Sequence, residues 1–164
     1  MRAPGVIAAM LAASGPALAE MRVIEGTITR VSDGDTVWMQ PDGGKRAPIK
    51  LRLQGIDAPE RCQAWGEQSR AALAARVLQR RVAVSVRSKD DYGRALGTLT
   101  LDGEDINAWM VGHGHAWSAR WHRSVGIYGT QEQSARASRK GLFAQQDAIE
   151  PRHFRKSHGS CEPS

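Results

Sequence analysis

The residues of this 164-residue chain best suited to chemistry lie between Ile49 and Cys62, in the stretch IKLRLQGIDAPERC. Arg52 carries a guanidinium that can grip an anion with two parallel N–H bonds, and Asp57 and Glu60 place two carboxylates a few residues away. Hard divalent cations take oxygen ligands from carboxylates and main-chain carbonyls. A phosphodiester that gathers negative charge on its way to cleavage is stabilised by well-placed arginine. Asp57 with the main-chain oxygen of Ala58 could meet the first demand and Arg52 the second. Glu60, three residues past Asp57, could then hold or deprotonate a water. Pro59 biases Ala58 towards extended backbone, which can leave that carbonyl free. A strand ending in a solvated acidic turn has the same composition, so spacing alone leaves both readings open.

The elements that must position these groups follow from periodicity. Leu51 and Leu53 alternate with Lys50, Arg52 and Gln54, which makes a strand with one face in a core and Arg52 on the other. Met21 to Val31 is rich in Val, Ile and Thr and predicts a first strand, Ser32 to Asp35 a turn, and Thr36 to Gln40 a second strand. Pro41 to Gly44 is hairpin punctuation leading into the Arg52 strand, so antiparallel pairing can bring Asp35 towards Asp57. Gln63 to Arg80 favours helix, Val82 to Val86 and Leu96 to Leu101 read as strands, and Arg94 stands where the latter begins. Asp105 can cap a short helix through Val111, and Thr130 to Gln133 resembles a capping box opening a third helix that stops at Gly141. Five short strands and about three helices suggest an α+β fold, a five-stranded closed barrel of OB type whose sheet face commonly binds oligonucleotides.

Met1 to Ala19 has one arginine, an apolar run from Val6 to Ala13 and the small-residue ending Ala17-Leu18-Ala19, the layout of a secretory signal cleaved before Glu20. The run is short for a stable membrane span, and an uncleaved anchor is the weaker alternative. The protein is therefore expected to be exported, to the periplasm or beyond. Residues 20–146 make one domain, and residues 147–164 a basic, loosely packed tail. Without Arg2 the mature chain carries 22 Lys and Arg against 17 Asp and Glu, a net charge of +5 that favours polyanionic partners but fixes no chemistry. Its two cysteines, Cys62 and Cys161, are expected to pair and tie the tail beside the Asp57 turn, worth roughly 4 to 5 kcal/mol in the chain-entropy model, with two free thiols or pairing between chains as the alternatives.

Three blocks in this order carry a resemblance: DGDT at Asp33 to Thr36, RLQGIDAPE at Arg52 to Glu60, and DYGR at Asp91 to Arg94. Together they resemble the staphylococcal-type nuclease, or thermonuclease, family, with softer matches at Ile106-Asn107 and Gly141-Leu142. The resemblance implies that Asp35, Asp57 and the Ala58 main-chain oxygen ligate Ca2+, with Asp33 in support behind them. It implies that Arg52 and Arg94 hold the scissile phosphate, that Glu60 positions or deprotonates the attacking water, and that Tyr92 lies beside a terminal phosphate. The implied activity is calcium-dependent hydrolysis of DNA and RNA at the P–O5′ bond, leaving 3′-phosphate ends. Single-stranded or frayed nucleic acid is the expected substrate, acted on by a monomer with no required protein partner.

The chain also departs from the family pattern. Ala58 stands where threonine is common, which spares a ligand that is a backbone oxygen, and Asp91 takes a turn position that can be lysine. Trp117 and Trp121 replace paired tyrosines near the nucleotide and could pack in a core or stack on a base. The competing readings are a non-catalytic nucleic-acid-binding module of the same fold, a zinc protein using His113, His115 and His122, and a structural protein of the cell envelope.

Overall fold

The computed structural model describes residues 22–159 and Cys161; the expected export segment, Met1 to Ala19, lies outside them. The elements run β1 (Arg22–Asp33), β2 (Thr36–Pro41), β3 (Ile49–Leu53), β4 (Ile56–Asp57), α1 (Gly66–Val77), β5 (Arg81–Lys89) and β6 (Ala95–Leu101). They continue through β7 (Glu104–Asp105), α2 (Ile106–Gly112), β8 (Trp117–Ser118), α3 (Gly129–Ala137), a 3₁₀ turn (Gly141–Ala144) and α4 (Pro151–His158).

The long β1 pairs antiparallel with both β2 and β5, β2 with β3, and β5 with β6. Parallel pairing of β3 with β6, Leu51 opposite Ala95 and Leu53 opposite Gly97, closes five strands into a mixed barrel of OB type. Strand alternation decides what fills it. Ile28, Val37, Met39, Leu51, Leu53, Val84 and Leu99 are essentially inaccessible, while Arg52 projects from the other face of β3. α1 adds Leu73 and Val77 to the same core.

Several boundaries moved for physical reasons. The helix expected from Gln63 begins at Gly66, because residues 60–66 form consecutive turns in which Gln63 N–H donates to Glu60 O and Gly66 N–H to Gln63 O. Glu60 N–H in turn donates to Gln63 Oε1 at 3.1 Å, so Gln63 braces the Glu60 turn instead of propagating a helix. A side chain at Gly66 would place its Cβ 1.9 Å from Glu60 O, which explains the glycine there. The expected capping box at Thr130 is absent: Tyr128 occupies the N-cap of α3 without a side-chain cap bond. Glu132 turns inward, accepting from Ser118 N–H at 2.9 Å and pairing with Arg120 and Arg136. The segment read as a loosely packed tail contains α4. Pro151 sets its first turn, Gln63 Nε2 donates to Ile149 O at 2.7 Å, and Cys161 is disulfide-bonded to Cys62 with Cα atoms 5.7 Å apart. Of these only Pro151 is a local sequence signal; the other anchors act over long range.

Asn107 is the main polar tie between helix and barrel. It is fully buried, donates from Nδ2 to Gln54 O at 2.9 Å and Gly97 O at 3.2 Å, and accepts from Leu99 N–H at 3.1 Å. Asn107→Ala removes the bonds to Gln54 O and Leu99 N–H, while Gly97 O keeps Gln54 N–H, and should cost about 2–4 kcal/mol by chemical denaturation; a loss under about 0.5 kcal/mol would contradict the assignment. Titration of denatured protein should find two thiols after reduction and none before, and equal counts would exclude the Cys62–Cys161 bond.

Candidate active site

Two turns form the floor of the site. In the first, Asp35 N–H donates to Asp33 Oδ1 at 3.0 Å, which fixes the Asp33-Gly34-Asp35 turn between β1 and β2. In the second, Ile56 and Asp57 form β4, paired with β8 so that Ile56 faces Ser118 and Asp57 faces Trp117. The turns meet at Gly34, where an added Cβ would lie 2.7 Å from Ala58 Cβ and 1.9 Å from Ser69 Oγ. Ala58 N–H donates to Asp35 Oδ2 at 2.8 Å, so the Ala58 main chain lies against the Asp35 carboxylate. Glu132, by holding Ser118, steadies the strand against which Asp57 is paired.

Arg52 joins the two turns. Its Nη1 donates to Asp35 Oδ1 and its Nη2 donates to Asp57 Oδ1 at 3.1 Å. Asp35 is 1% exposed, and burial pushes its carboxyl well above the usual range even though Arg52 pulls it down. Burial opposes the Arg52 charge as well, but Asp35 and Asp57 outweigh it and raise the guanidinium above its ordinary value. Thr36 Oγ1 also donates to Asp35, at 3.1 Å.

A cleft beside this bridge is lined by Asp33, Lys50, Arg52, Glu60, Tyr92, Arg94, Leu96 and Arg155. Every side chain picked out for phosphate or water from the sequence, Arg52, Glu60, Arg94 and Tyr92, thus borders one space. Tyr92 is 85% exposed at the rim, with the Arg94 guanidinium 5.4 Å from its ring centre. Asp35 and Asp57 are brought together beneath the cleft through Arg52. Their donors are all oxygen, and the two carboxylates already share one guanidinium, so the set is of the type that fits a hard divalent cation. Asp35, Asp57 and the Ala58 main-chain oxygen are the atoms that would hold it.

Two contributors were missed from the sequence. Asp90 accepts Arg94 Nε at 2.7 Å and the Arg94 and Tyr92 N–H groups at 2.9 and 3.0 Å, fixing the Tyr92-Gly93-Arg94 turn. Desolvation would raise its carboxyl, but these donors hold it below the usual range. Its only sequence signal is a place in a charged turn. Arg155, from α4, donates through Nη1 to Glu60 Oε1 at 2.8 Å and Asp57 Oδ1 at 3.2 Å, and through Nη2 to Asp57 Oδ2 at 3.1 Å. The signal for it was the pairing of Cys161 with Cys62, which carries the C-terminal segment to the Glu60 turn.

The remaining aromatic and histidine residues divide clearly. Trp117 is 5% exposed and packs edge-on against Phe143, while Trp121 is 79% exposed. His113 and His115 stack on Trp109 and His122 packs against Trp121. Among the described residues no group of three or more His, Cys, Asp or Glu side chains gathers as a metal site, so the three histidines form no zinc set there, and the Asp35–Asp57 pair would reach a third donor only through a main-chain oxygen. Among them, too, no helix is long and apolar enough to cross a membrane.

Comparison with known proteins agrees with this geometry. The model of the family described as "Staphylococcal nuclease homologue" matches residues 50–145, more than half of the chain. A protein of Escherichia coli named "Protein ParB" is 40% identical, over 95% of this chain and 90% of its own length. An "Uncharacterized endonuclease" of Haemophilus influenzae is 36% identical over 79% of this chain and 71% of its own. A "Micrococcal nuclease" of Shigella flexneri is 35% identical over 92% and 89%. By barrel, by site and by these similarities, the chain belongs to the staphylococcal nuclease homologue family.

Proposed function

We propose that this protein is a calcium-dependent phosphodiesterase that hydrolyses DNA, RNA or both at the P–O5′ bond and leaves 3′-phosphate ends. The observation that carries the proposal is the convergence of Arg52, Glu60 and Arg94 on one cleft, above two carboxylates that share the Arg52 guanidinium. The names of the Haemophilus and Shigella relatives support nuclease activity.

Calcium held by Asp35, Asp57 and the Ala58 oxygen would supply positive charge to a phosphate oxygen. The protein's own groups do the rest. Glu60 orients a water in the cleft and accepts its proton as the oxygen attacks phosphorus. Negative charge then grows on the equatorial oxygens, where Arg52 and Arg94 donate from fixed positions, one braced by Asp35 and Asp57 and the other by Asp90. The P–O5′ bond breaks and the departing oxygen takes up a proton, so one product carries a 5′-hydroxyl and the other a 3′-phosphate. Arg94 would face that oxygen, and Tyr92, exposed at the rim, would meet a terminal phosphate. Single-stranded or frayed strands suit an open cleft, and a monomer suffices for this chemistry. Export is part of the same reading; the Cys62–Cys161 bond suits an oxidising compartment.

Mature protein incubated with single-stranded DNA, and separately with RNA, should cut in calcium and stop in chelator, and end-group analysis should find 3′-phosphates. Binding without cutting in calcium would instead support a catalytically silent module. Arg52→Lys and Arg94→Lys keep the charge but lose the fork, and each should lower kcat by about 100- to 1,000-fold in protein with unchanged circular dichroism. Unchanged turnover in both would overturn their roles. Glu60→Gln should cut the rate by about 100-fold or more while oligonucleotide affinity persists; loss of affinity with the rate per bound substrate intact would remove Glu60 from the chemistry.

A further inference from the structure

The chemistry above makes no use of Arg155, although it touches both acids that the chemistry needs. One guanidinium edge spans Asp57, while Nη1 also reaches Glu60. Asp57 therefore receives N–H groups from two arginines, Arg52 from the barrel and Arg155 from α4. The side chain of Arg155 is still 35% exposed and borders the cleft together with Lys50, Arg52 and Arg94. It lies beyond residue 145, where the match to the family's model ends. Its helix is not free to leave: Cys161, six residues on, is bonded to Cys62, two residues past Glu60.

A cation that takes the Asp57 oxygens competes with Arg155 for the same lone pairs. The displaced guanidinium, kept nearby by the disulfide, then needs another acceptor. A phosphate offers two oxygens at the spacing that a carboxylate offers, and guanidinium matches both geometries. We propose that Arg155 is a third phosphate-binding arginine of this site, delivered by the disulfide-tethered helix α4 and resting on Asp57 and Glu60 until cation and substrate phosphate replace those contacts. This rests on the nuclease reading. In it the free protein pairs Asp35 and Asp57 with Arg52, Asp57 and Glu60 with Arg155, and Arg94 with Asp90, and Arg155, tethered through Cys161, can change partners without leaving the cleft.

The test compares full mature parent, Arg155→Ala and Arg155→Lys proteins. Calorimetric titration with Ca2+ in the absence of nucleic acid should show tighter binding in Arg155→Ala by about fivefold, because a competing charge has gone. In a Glu60→Gln background with calcium, a single-stranded oligonucleotide should bind Arg155→Ala about tenfold more weakly, and Arg155→Lys should recover part of the loss. Opposite movement of the two affinities is the signature, since a helix anchor alone has no reason to weaken metal binding. Both affinities within twofold of the parent would overturn the inference, as would a joint fall in both with a lowered melting temperature. A parent that cuts nucleic acid while Arg155→Ala cuts and binds equally well overturns the inference alone. A parent that neither binds nor cuts overturns the nuclease reading and this inference with it.

Discussion

A carboxylate that is almost wholly inaccessible must be answered by positive charge, and Asp35 is answered by Arg52. That pairing sets much else. Asp35 stands on the turn between β1 and β2, Arg52 on the outer face of β3, and Asp57 on β4 beyond the next turn. One guanidinium with two donors in a fixed plane can serve both carboxylates only if these three segments hold a common register. Without that register Asp35 would have to be buried either charged and unpaired, which costs several kcal/mol, or protonated and no longer a carboxylate. The ion bridge thus links the correct closure of the barrel to the assembly of the site.

The surrounding structure relieves the bridge of mechanical work. Gly34 lets the Asp35 turn sit on Ala58 and Ser69 with no room for a side chain between them. Asn107 ties α2 to Gln54 and Gly97, just before β4 and across on β6. Glu132 holds the partner strand of Asp57, and Asp90 holds the turn that presents Arg94. The groups that face the cleft are consequently carried by backbone whose hydrogen bonds are made elsewhere. A site meant to meet charge as it develops needs this prior rigidity, because donors that must reorganise lose much of their effect.

Much of this was legible in the sequence, for reasons that differ by element. Strand alternation around Leu51 and Leu53 is a period-two signal, and it put Arg52 on the open face. Asp105 as the cap of α2 is equally local, and its side chain does accept from Ala108 N–H. The blocks from Asp33, Arg52 and Asp91 were readable as a set through their resemblance to a known family, not through any local propensity. What escaped was decided over long range. Glu132 looks like a capping-box glutamate until β8 arrives to use it, and Gln63 looks helical until the Glu60 turn claims its side chain. The C-terminal segment has a polar, charged composition that reads as a tail. Its helix is held by Cys62, Gln63, Asp57 and Glu60, all about a hundred residues earlier.

The central claim is that Asp35 and Asp57, already joined through Arg52, are two sides of one cation site. A crystal structure grown with calcium tests it most directly. The account predicts a single ion in the floor of the cleft, about 2.3–2.6 Å from oxygens of Asp35, Asp57 and Ala58, with Arg52 still beside it. Calcium bound elsewhere, with Asp35 and Asp57 ligating nothing and Arg52 still spanning both at saturating calcium, would contradict it.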